Sequence, residues 1–377
     1  MSQFGLVWNH TLTNIWDYTV KGTYGETERH YFWTATPGDQ SNYDGVLSFI
    51  EMQHNFALTE HLNISLGMDY EKQVFDGQEP LNKWMADFTP VIFHYTWNSW
   101  DTFGLVQGNF MDDALLINVG GRYNDHEKFG SKAVWETSAA YTIKSSNTKF
   151  HSHIGTGYRT PSLYEIYGGY LSGGVLITIG NKNLQPEESL GWEIGVEQNL
   201  LARKMTMGVT YFQTKFNDLI IYDRFNKQYA NASTAQNKGF EVYIKTKPLK
   251  NLSMDFAYTH MDSKYKATKT STRWTQKEYL PENIIDMIIT WYPIKKLTLS
   301  CDVSFQGEKI VPLYDPTWTK VRYKEDKVTT VDLAVTYNLS KHLDLWIRAE
   351  NLLDKDYTES GYQMPGRSLF GGFRVFF

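Results

Sequence analysis

The stretch between Arg159 and Glu187 is rich in side chains suited to binding a ligand without covalent chemistry. Its tyrosines and paired glycines are Tyr164, Tyr167, Tyr170, Gly168-Gly169 and Gly173-Gly174. Aromatic rings offer flat contact faces and glycine pairs permit backbone movement, so the stretch is suited to a mobile aromatic surface over a large planar or catecholate ligand. An aromatic girdle at a membrane surface would explain the same tyrosines equally well.

Two further stretches combine cations with aromatic rings. Their members are Arg273, Trp274 and Lys277, and then Trp318, Lys320 and Arg322. Such groups are able to meet an anionic metal chelate, although a solvated loop surface would also contain them. Arg159 and Glu187 flank the tyrosine-rich stretch, where we expect them to brace the structure by hydrogen bonds rather than to touch a ligand.

Residue sets for catalysis or metal binding are sparse. The acid-histidine cluster Asp125-His126-Glu127 has no nucleophile motif beside it, and Asp344, Arg348 and Glu350 alternate along one strand-like segment where solvated charges are expected. The single cysteine, Cys301, leaves no disulfide and no cysteine-based metal cluster. A net charge of -5 without a basic tract argues against nucleic acid as a partner. The sequence therefore predicts a non-enzymatic chain without a cofactor.

Alternation of apolar and polar residues predicts the elements that hold these side chains. Apolar residues occupy every second position in 205–211, 252–258, 297–305, 331–339 and 343–349. No run of ~18 apolar residues is present, which excludes a transmembrane helix. A soluble two-sheet sandwich would show the same alternation, so the pattern alone leaves sandwich and membrane barrel open.

The lengths of the connections favour the barrel. Tight turns alternate along the chain with long connections such as 262–282 and 307–327. The tight turns lie near residues 13–16, 59–61, 111–113, 144–147, 199–204, 247–251, 293–296 and 339–342. Short turns at one end and long loops at the other are typical of transmembrane barrels. We therefore predict an all-β, transmembrane antiparallel barrel with about 17 strands, each of ~10 residues. The apolar residues expected to face lipid include Leu252, Met254, Phe256, Cys301, Val331, Leu333, Val335, Leu343 and Leu345.

The chain ends on an aromatic strand-like segment. Leu369, Phe373, Val375 and Phe377 fall on one face of it. This looks like the terminal strand by which outer-membrane barrels are recognised for insertion, which implies the barrel assembly machinery as a partner. An ordinary edge strand is the alternative interpretation.

Three stretches in order along the chain carry a resemblance to a known family. The first contains Arg159, Pro161, Leu163 and Glu165, the second Asn181, Asn183, Leu184, Pro186 and Glu187, and the third Asn351, Leu352, Pro365, Gly366 and Arg367. Together they resemble the C-terminal part of TonB-dependent receptors, which import ferric siderophores, haem or cobalamin. The resemblance covers residues 101–377 well and residues 1–100 only by strand pattern.

The resemblance implies a 22-stranded barrel with a plugged lumen, so residues 1–377 would be one barrel domain, N-terminally incomplete and without its plug. It also implies Gram-negative outer-membrane lipid and the TonB-ExbB-ExbD energising complex, reached through the plug, as partners. The binding residues that we predict for the iron-chelate, haem or cobalamin ligand are Tyr164, Tyr167, Tyr170, Arg273, Trp274, Trp318 and Arg322.

Haem receptors of the family usually carry an iron-ligating histidine between Tyr158 and Glu187, and this sequence has none there. His30 and His94, in or beside other long connections, are the remaining candidates. A passive porin would share the strand pattern and the aromatic terminus but not the three stretches. A partial gene product without a function of its own is the third alternative.

Overall fold

Nearly all of the protein is β-structure in a computed structural model that describes residues 1–32, 40–79, 91–172, 175–223, 226–231, 234–266, 271–314 and 320–376. The main strands are β1 (Ser2–Thr13), β2 (Trp16–Phe32), β3 (Gln40–Thr59), β4 (Leu62–Glu79), β5 (Val91–Phe110), β6 (Leu115–His126), β7 (Gly130–Ile143), β8 (Thr148–Arg159), β11 (Glu187–Leu200), β12 (Met205–Asn217), β15 (Thr234–Leu249), β16 (Leu252–Lys266), β18 (Asn283–Ile294), β19 (Leu297–Gln306), β22 (Val328–Ser340), β23 (Leu343–Glu350) and β26 (Ser368–Val375).

The connections at one end of the sheet contain short elements of their own. These are the helix α1 (Leu163–Tyr167), the hairpins β9 (Gly169–Ser172) with β10 (Val175–Thr178), β13 (Ile220–Asp223) with β14 (Gln228–Asn231), β20 (Lys309–Tyr314) with β21 (Lys320–Glu325), and β24 (Thr358–Glu359) with β25 (Tyr362–Gln363), and the two-residue strand β17 (Thr275–Gln276). Within the described residues, no helix has the length and apolarity needed to span a membrane.

The seventeen main strands form one antiparallel sheet in which each strand pairs with its neighbours in the chain. The all-β prediction and the strand number are therefore confirmed. An odd number of antiparallel strands makes the first and last run in the same direction. Over the described residues, β1 pairs with β2 alone and β26 with β23 alone.

The eight predicted tight turns all occur at the same end of the sheet. The opposite end carries the long connections, apart from a three-residue turn at 127–129. Strand length differs from the prediction, because β3 and β5 have 20 residues each rather than ~10. In residues 40–49 of β3, polar and apolar residues do not alternate regularly, so periodicity could not reveal that extension. In β5, Phe93, Tyr95 and Trp97 do alternate with polar residues, a signal that the sequence analysis did not use.

The two faces of the sheet differ in polarity. Directly opposed residues in an antiparallel sheet lie on the same face, and Ile347, Val335, Leu299, Trp291 and Leu252 form one row across five strands. The nine residues predicted to face lipid all lie on this apolar face, as the pairing of Cys301 with Leu333 and with Ile289 illustrates.

A row of charged and amide side chains crosses the other, polar face. Lys21, Glu51, Asp69, Asp101 and Asn124 stand opposite one another on β2 to β6. The Lys21 ammonium lies 2.7 Å from Glu51. Asp69 and Asp101 are buried, with 5% and 8% of their surface exposed, so they need compensation within the protein.

Arg122, on β6, supplies that compensation. One of its nitrogens lies 2.5 Å from Asp101 and 3.2 Å from Asp69. Its guanidinium carbon also lies 4.9 Å from the centre of the Phe103 ring. The polar face is thus held by an ion network at about the middle of β4 and β5.

Candidate functional site

Arg159 joins two carboxylates at the end of β8. Its Nε and Nη2 donate to Glu187 at 2.7 and 2.9 Å, and its Nη1 and Nη2 donate to Glu165 at 3.0 and 3.3 Å. Glu187 is the direct partner of Arg159 in the β8–β11 pairing. Paired, charge-assisted hydrogen bonds fix both distance and orientation. The arginine therefore closes the base of the long 159–187 segment.

The helix α1 begins immediately above this ion pair. Ser162 is its N-cap, and the Glu165 carboxylate accepts a hydrogen bond from the Ser162 N–H at 2.7 Å while Ser162 accepts one from the Glu165 N–H. This capping box lets a five-residue helix persist. The same carboxylate thus serves both the helix cap and Arg159.

The two family-like stretches at the ends of this segment meet in space. The Asn181 N–H donates to the Glu165 carbonyl at 2.9 Å, and the Asn181 side chain accepts from the Asn183 N–H at 2.9 Å. Leu184 is 2% exposed and packs with Leu163 in one buried cluster. Ile166 and Pro161 are also buried, so these motif residues form a small core.

This core rests on the polar face of the sheet. Trp97 of β5, only 4% exposed, belongs to the same buried cluster, and Phe75 of β4 packs against it. The Tyr43 hydroxyl of β3 donates to the Gly169 carbonyl at 3.3 Å. The segment that follows β8 therefore contacts β3, β4 and β5, which lie three to five strands away in the sheet. Because it reaches them across the polar face, the polar face is the concave side of the sheet.

The connection between β12 and β15 is hydrogen-bonded to the 159–187 segment. The Ile220 N–H donates to Glu187 at 2.7 Å, and the Tyr229 N–H donates to the Ile179 carbonyl at 2.8 Å. The Asn181 side chain donates to the Tyr229 carbonyl at 2.9 Å. The hairpin β13–β14 and the 159–187 segment are consequently one structural unit, which we call the mouth unit.

Aromatic rings line the mouth unit where it meets the sheet. Tyr167 stacks on Tyr95 of β5 with ring centres 3.8 Å apart and planes inclined by 6°. Lys128 and Lys182 place their ammonium groups 5.3 and 5.7 Å from the Tyr167 ring. Cations over a ring add an attraction of roughly 1 kcal/mol at exposed sites.

Tyr164 contacts a second set of rings. Its ring lies edge-on to those of Tyr43, Phe75 and Tyr229, with centres 6.0 to 6.3 Å apart. Tyr164 keeps 36% of its surface exposed, and Tyr222, against Tyr229, keeps 37%. The tyrosines therefore form an aromatic surface that is anchored below and open above.

Tyr229 is a partly buried member of this surface. Its partial burial raises the pKa of the phenol, and the nearby Glu165 charge raises it further. The ring accordingly remains neutral at physiological pH. Four of the aromatic partners, Tyr43, Phe75, Tyr95 and Tyr229, were not singled out from the sequence, although aromatic residues on the polar face of β4 and β5 were a usable signal.

The other predicted binding residues lie apart from the tyrosines. Trp274 is 39% exposed and lies 5.1 Å from the Lys266 ammonium, and Arg322 donates to the Gln276 carbonyl at 2.8 Å. Arg273 is exposed. Over the residues described, none of the three contacts the tyrosine cluster. Trp318 and Phe377, and the side chain of Tyr170, lie outside the described part of the chain.

The histidine candidates His30 and His94 lie near the ends of β2 and β5, beside long connections. His94 is bonded to Asp76 at 2.5 Å and His30 to Asn42 at 2.7 Å, and both pairs lie on the apolar-face side of their strands. His126, in the acid-histidine cluster, is 5% exposed and packs against Trp97 and Phe129. These surroundings are those of a core residue.

Sequence reasoning missed a buried ion pair in the connections beyond the sheet. Lys309 and Glu325, 5% and 2% exposed, lie 3.5 Å apart on β20 and β21, and Lys309 also lies 2.5 Å from Glu359 of β24. Glu325 accepts from the Gly361 N–H at 2.6 Å and from the Ser360 N–H at 3.2 Å. The hairpins β20–β21 and β24–β25 are thereby joined.

The third family-like stretch forms the turn before β26. Asn351, 6% exposed, donates to the carbonyls of Lys355 at 2.8 Å and Pro365 at 3.2 Å. The Arg367 side chain donates to the Leu352 carbonyl at 2.9 Å. A Cβ on Gly366 would lie 3.0 Å from Asp354, so the turn favours glycine there. These residues therefore hold the backbone of the turn.

Comparison with known proteins gives one family and many similar folds. A family model described as TonB dependent receptor-like, beta-barrel matches residues 1–352. Similar solved structures include the FrpB iron transporter from Neisseria meningitidis (13% identity, TM-score 0.79), a mutant of the ferric enterobactin receptor PfeA from Pseudomonas aeruginosa (16%, 0.74) and the ferric-catecholate import receptor Fiu from E. coli K12 (11%, 0.76). Each match covers 99% of this chain but only 61 to 63% of the other, so the chain spans less than two thirds of their length.

Proposed function

The chain belongs to the TonB-dependent receptor-like β-barrel family, and we propose that it forms the wall and outer mouth of an outer-membrane receptor that imports an iron chelate. The observation that carries the proposal is the aromatic surface of the mouth unit. Tyr164 and Tyr167 are anchored on β3 to β5 above the concave side of the sheet. Tyr164 leaves 36% of its surface exposed, and the partly buried Tyr167 lies beside two ammonium groups.

The chemistry of that surface supports a planar, electron-rich ligand. Phenol rings stack on catechol rings, and the ammonium groups of Lys128 and Lys182 beside Tyr167 favour a ligand with negative charge. A tris-catecholate complex of ferric iron presents planar, electron-rich catechol rings and carries negative charge, although the complex as a whole is octahedral. The similar structures include a ferric enterobactin receptor and a ferric-catecholate import receptor, which agrees with this substrate class. Haem and cobalamin are the alternative cargoes.

The membrane location is supported by the apolar face. Its rows of aliphatic and aromatic residues would face lipid, while the charged row on β2 to β6 would face a water-filled interior. Strand pairing satisfies backbone hydrogen bonds within the sheet, as a lipid environment requires. Energy for import would come from the TonB complex acting through a plug domain, and assembly would use the barrel assembly machinery.

A passive porin is the second candidate function. A porin needs an open aqueous interior, whereas the mouth unit spans from β8 to β3 and covers the long-connection end of the concave face with a buried core. The mouth unit therefore favours a binding protein. Catalysis is a weaker alternative, because His126 is buried among aromatic rings.

The test is uptake of a radiolabelled ferric tris-catecholate by iron-starved cells that carry the double variant Tyr164→Ala with Tyr167→Ala. We expect uptake to fall by about tenfold or more, as for removal of central aromatic contacts, with unchanged receptor in the outer membrane. The matched control is Tyr292→Ala with Tyr337→Ala, two exposed tyrosines of the sheet away from the mouth unit. Unchanged uptake of the catecholate, haem and cobalamin in the first variant would refute the proposal.

A further inference from the structure

Four lysines cluster on the apolar-face side of three neighbouring strands. Lys215 of β12 and Lys264 of β16 both stand opposite Gln236 of the intervening β15. Lys238 lies two residues further along β15, and Lys266 two residues beyond Lys264. With ~4.8 Å between strands and ~7 Å between alternate residues, the four lysines occupy a patch of roughly 10 by 15 Å.

The cluster lies directly beyond an aromatic belt. Tyr211, Phe240 and His260 form one row on the same face of the same strands, and Tyr258 packs edge-on against Phe240. From this row, the lysines lie toward the long-connection end. Aromatic belts mark the level where the apolar layer of a membrane meets the headgroups, so the lysines stand at headgroup level.

The distance of the lysines from the short-turn ends of their strands also places them at headgroup level. Lys215 is ten residues from Met205, where β12 leaves its short turn, and Lys264 is twelve residues from Leu252 at the corresponding end of β16. A tilted strand rises ~2.4 Å in height per residue, so ten to twelve residues climb roughly 24 to 29 Å. This matches the ~25 Å apolar band of an outer-membrane barrel.

The charge of the cluster is largely uncompensated. Asp262, opposite Lys238, contacts Lys264 at 2.8 Å and is the one carboxylate in the patch as described. The Lys266 ammonium lies over the Trp274 ring, which orders it without neutralising it. Lys215 and Lys238 are exposed. The patch therefore carries about three positive charges that point away from the concave side.

Other strands carry the opposite sign at this level. On β2 to β4 the same face presents Glu26, Glu28, Asp44 and Asp76, with Lys72 as the single lysine among the residues described there. A uniform ring of membrane-surface lysines would not show this asymmetry. The clustering therefore indicates recognition of an anionic group at one place on the wall.

We propose that Lys215, Lys238, Lys264 and Lys266 form a binding site for the phosphate groups of a phosphorylated glycolipid in the outer leaflet. The inference rests on the membrane location in the proposed function but not on the transported ligand. Ammonium groups at a lipid surface attract phosphate strongly, and several acting on one headgroup bind it more tightly than any one alone. The acyl chains would then lie along Phe240 and Val242.

The test measures binding of bisphosphorylated lipid A to the protein in neutral detergent micelles by native mass spectrometry. In the variant with all four lysines changed to glutamine, we expect binding to weaken by about tenfold or more. A set with the four lysines changed to arginine should retain binding. The matched control changes Lys204, Lys247, Lys250 and Lys296, at the short-turn end of the sheet, to glutamine and should bind like the parent protein.

Several results would overturn the site. These are equal binding by the glutamine and parent proteins, equal loss in the short-turn control, and loss in the arginine set. Dephosphorylated lipid A should bind weakly. If millimolar inorganic phosphate by itself displaced bisphosphorylated lipid A, the cluster would be a free-anion site instead of a lipid site. Uptake of ferric catecholate by the glutamine variant is measured in parallel, so failure of lipid binding with normal uptake leaves the proposed function untouched.

Discussion

Glu165 and Arg159 form a two-point contact that also controls a helix cap. The guanidinium donates to both Glu165 carboxylate oxygens at 3.0 and 3.3 Å, while one of those oxygens accepts the Ser162 N–H at 2.7 Å. A single side chain therefore links the end of β8 to the start of α1. Removing it would release both at once.

Two substitutions of Glu165 separate the contribution of the capping hydrogen bond from that of the ionic contact with Arg159. Glutamine preserves a capping-box acceptor but not the ionic contact, so Glu165→Gln should destabilise the mouth unit less than Glu165→Ala, by about 1 kcal/mol. Hydrogen exchange of the backbone amides of residues 163–168 gives the measurement. Equal exchange rates in the two variants would show that the capping bond contributes nothing.

Loss of one partner from the buried Lys309–Glu325 pair should be costly. Lys309→Met leaves Glu325 buried without the Lys309 ammonium, and breaking a buried pair in this way typically costs about 3–5 kcal/mol. We expect protease cleavage within the β20–β21 and β24–β25 hairpins to increase. The double variant Lys309→Met with Glu325→Gln should be cut more slowly than the single variant, and the reverse order would contradict this account.

The two faces of β23 should respond oppositely to charge. Leu345, 42% exposed on the apolar face, should tolerate aspartate poorly, with a cost of roughly 2–4 kcal/mol if it sits near the bilayer midplane. Asp344→Asn, on the other face of the same strand, is the matched substitution and should be nearly silent. Folding yield into lipid vesicles, read by heat-modifiable gel mobility, distinguishes the two. Normal insertion of Leu345→Asp would argue against lipid contact.

Alkaline pH should loosen the mouth unit through Tyr229. Its pKa is raised in the folded protein by burial and by Glu165, so the folded state holds the phenol proton more tightly than the unfolded state. The stability that this supplies is present below the ordinary tyrosine pKa near ~10 and is lost as pH rises through the higher folded value. Hydrogen exchange of the β13–β14 hairpin above pH 10 should therefore rise in the parent protein more than in Tyr229→Phe.

Local patterns were enough to predict the sheet but not the mouth unit. The alternation through Leu343, Leu345 and Ile347 predicted which residues lie on the apolar face of the sheet, and the turn residues predicted the tight connections. The glycine pairs suggested a mobile segment, yet a Cβ on Gly168 would lie 2.4 Å from the Tyr164 carbonyl oxygen. Gly168 therefore serves close backbone packing rather than movement.

Contacts between distant parts of the chain explain the remaining omissions. Tyr95 and Tyr167 are 72 positions apart, and no local periodicity reports that one will lie on the other. The Lys309–Glu325–Glu359 network joins two hairpins separated by β22 and β23, so each residue taken alone resembles an ordinary solvated charge. The roles of such residues depend on tertiary packing, which local patterns in a single sequence do not reveal.

The charged row on the polar face also determines how the strands align. Sliding one strand by two residues keeps every side chain on its own face, and on the apolar face it merely exchanges one aliphatic contact for another, such as Leu345 for Ile347 opposite Val335. The same slide would move Lys21 from Glu51 to Phe49 or Gln53. Between β2 and β3, which no tight turn joins, the ion pair on the aqueous side therefore helps to specify registration. Neutralising Lys21 should produce misalignment of these two strands during assembly rather than a weaker finished wall.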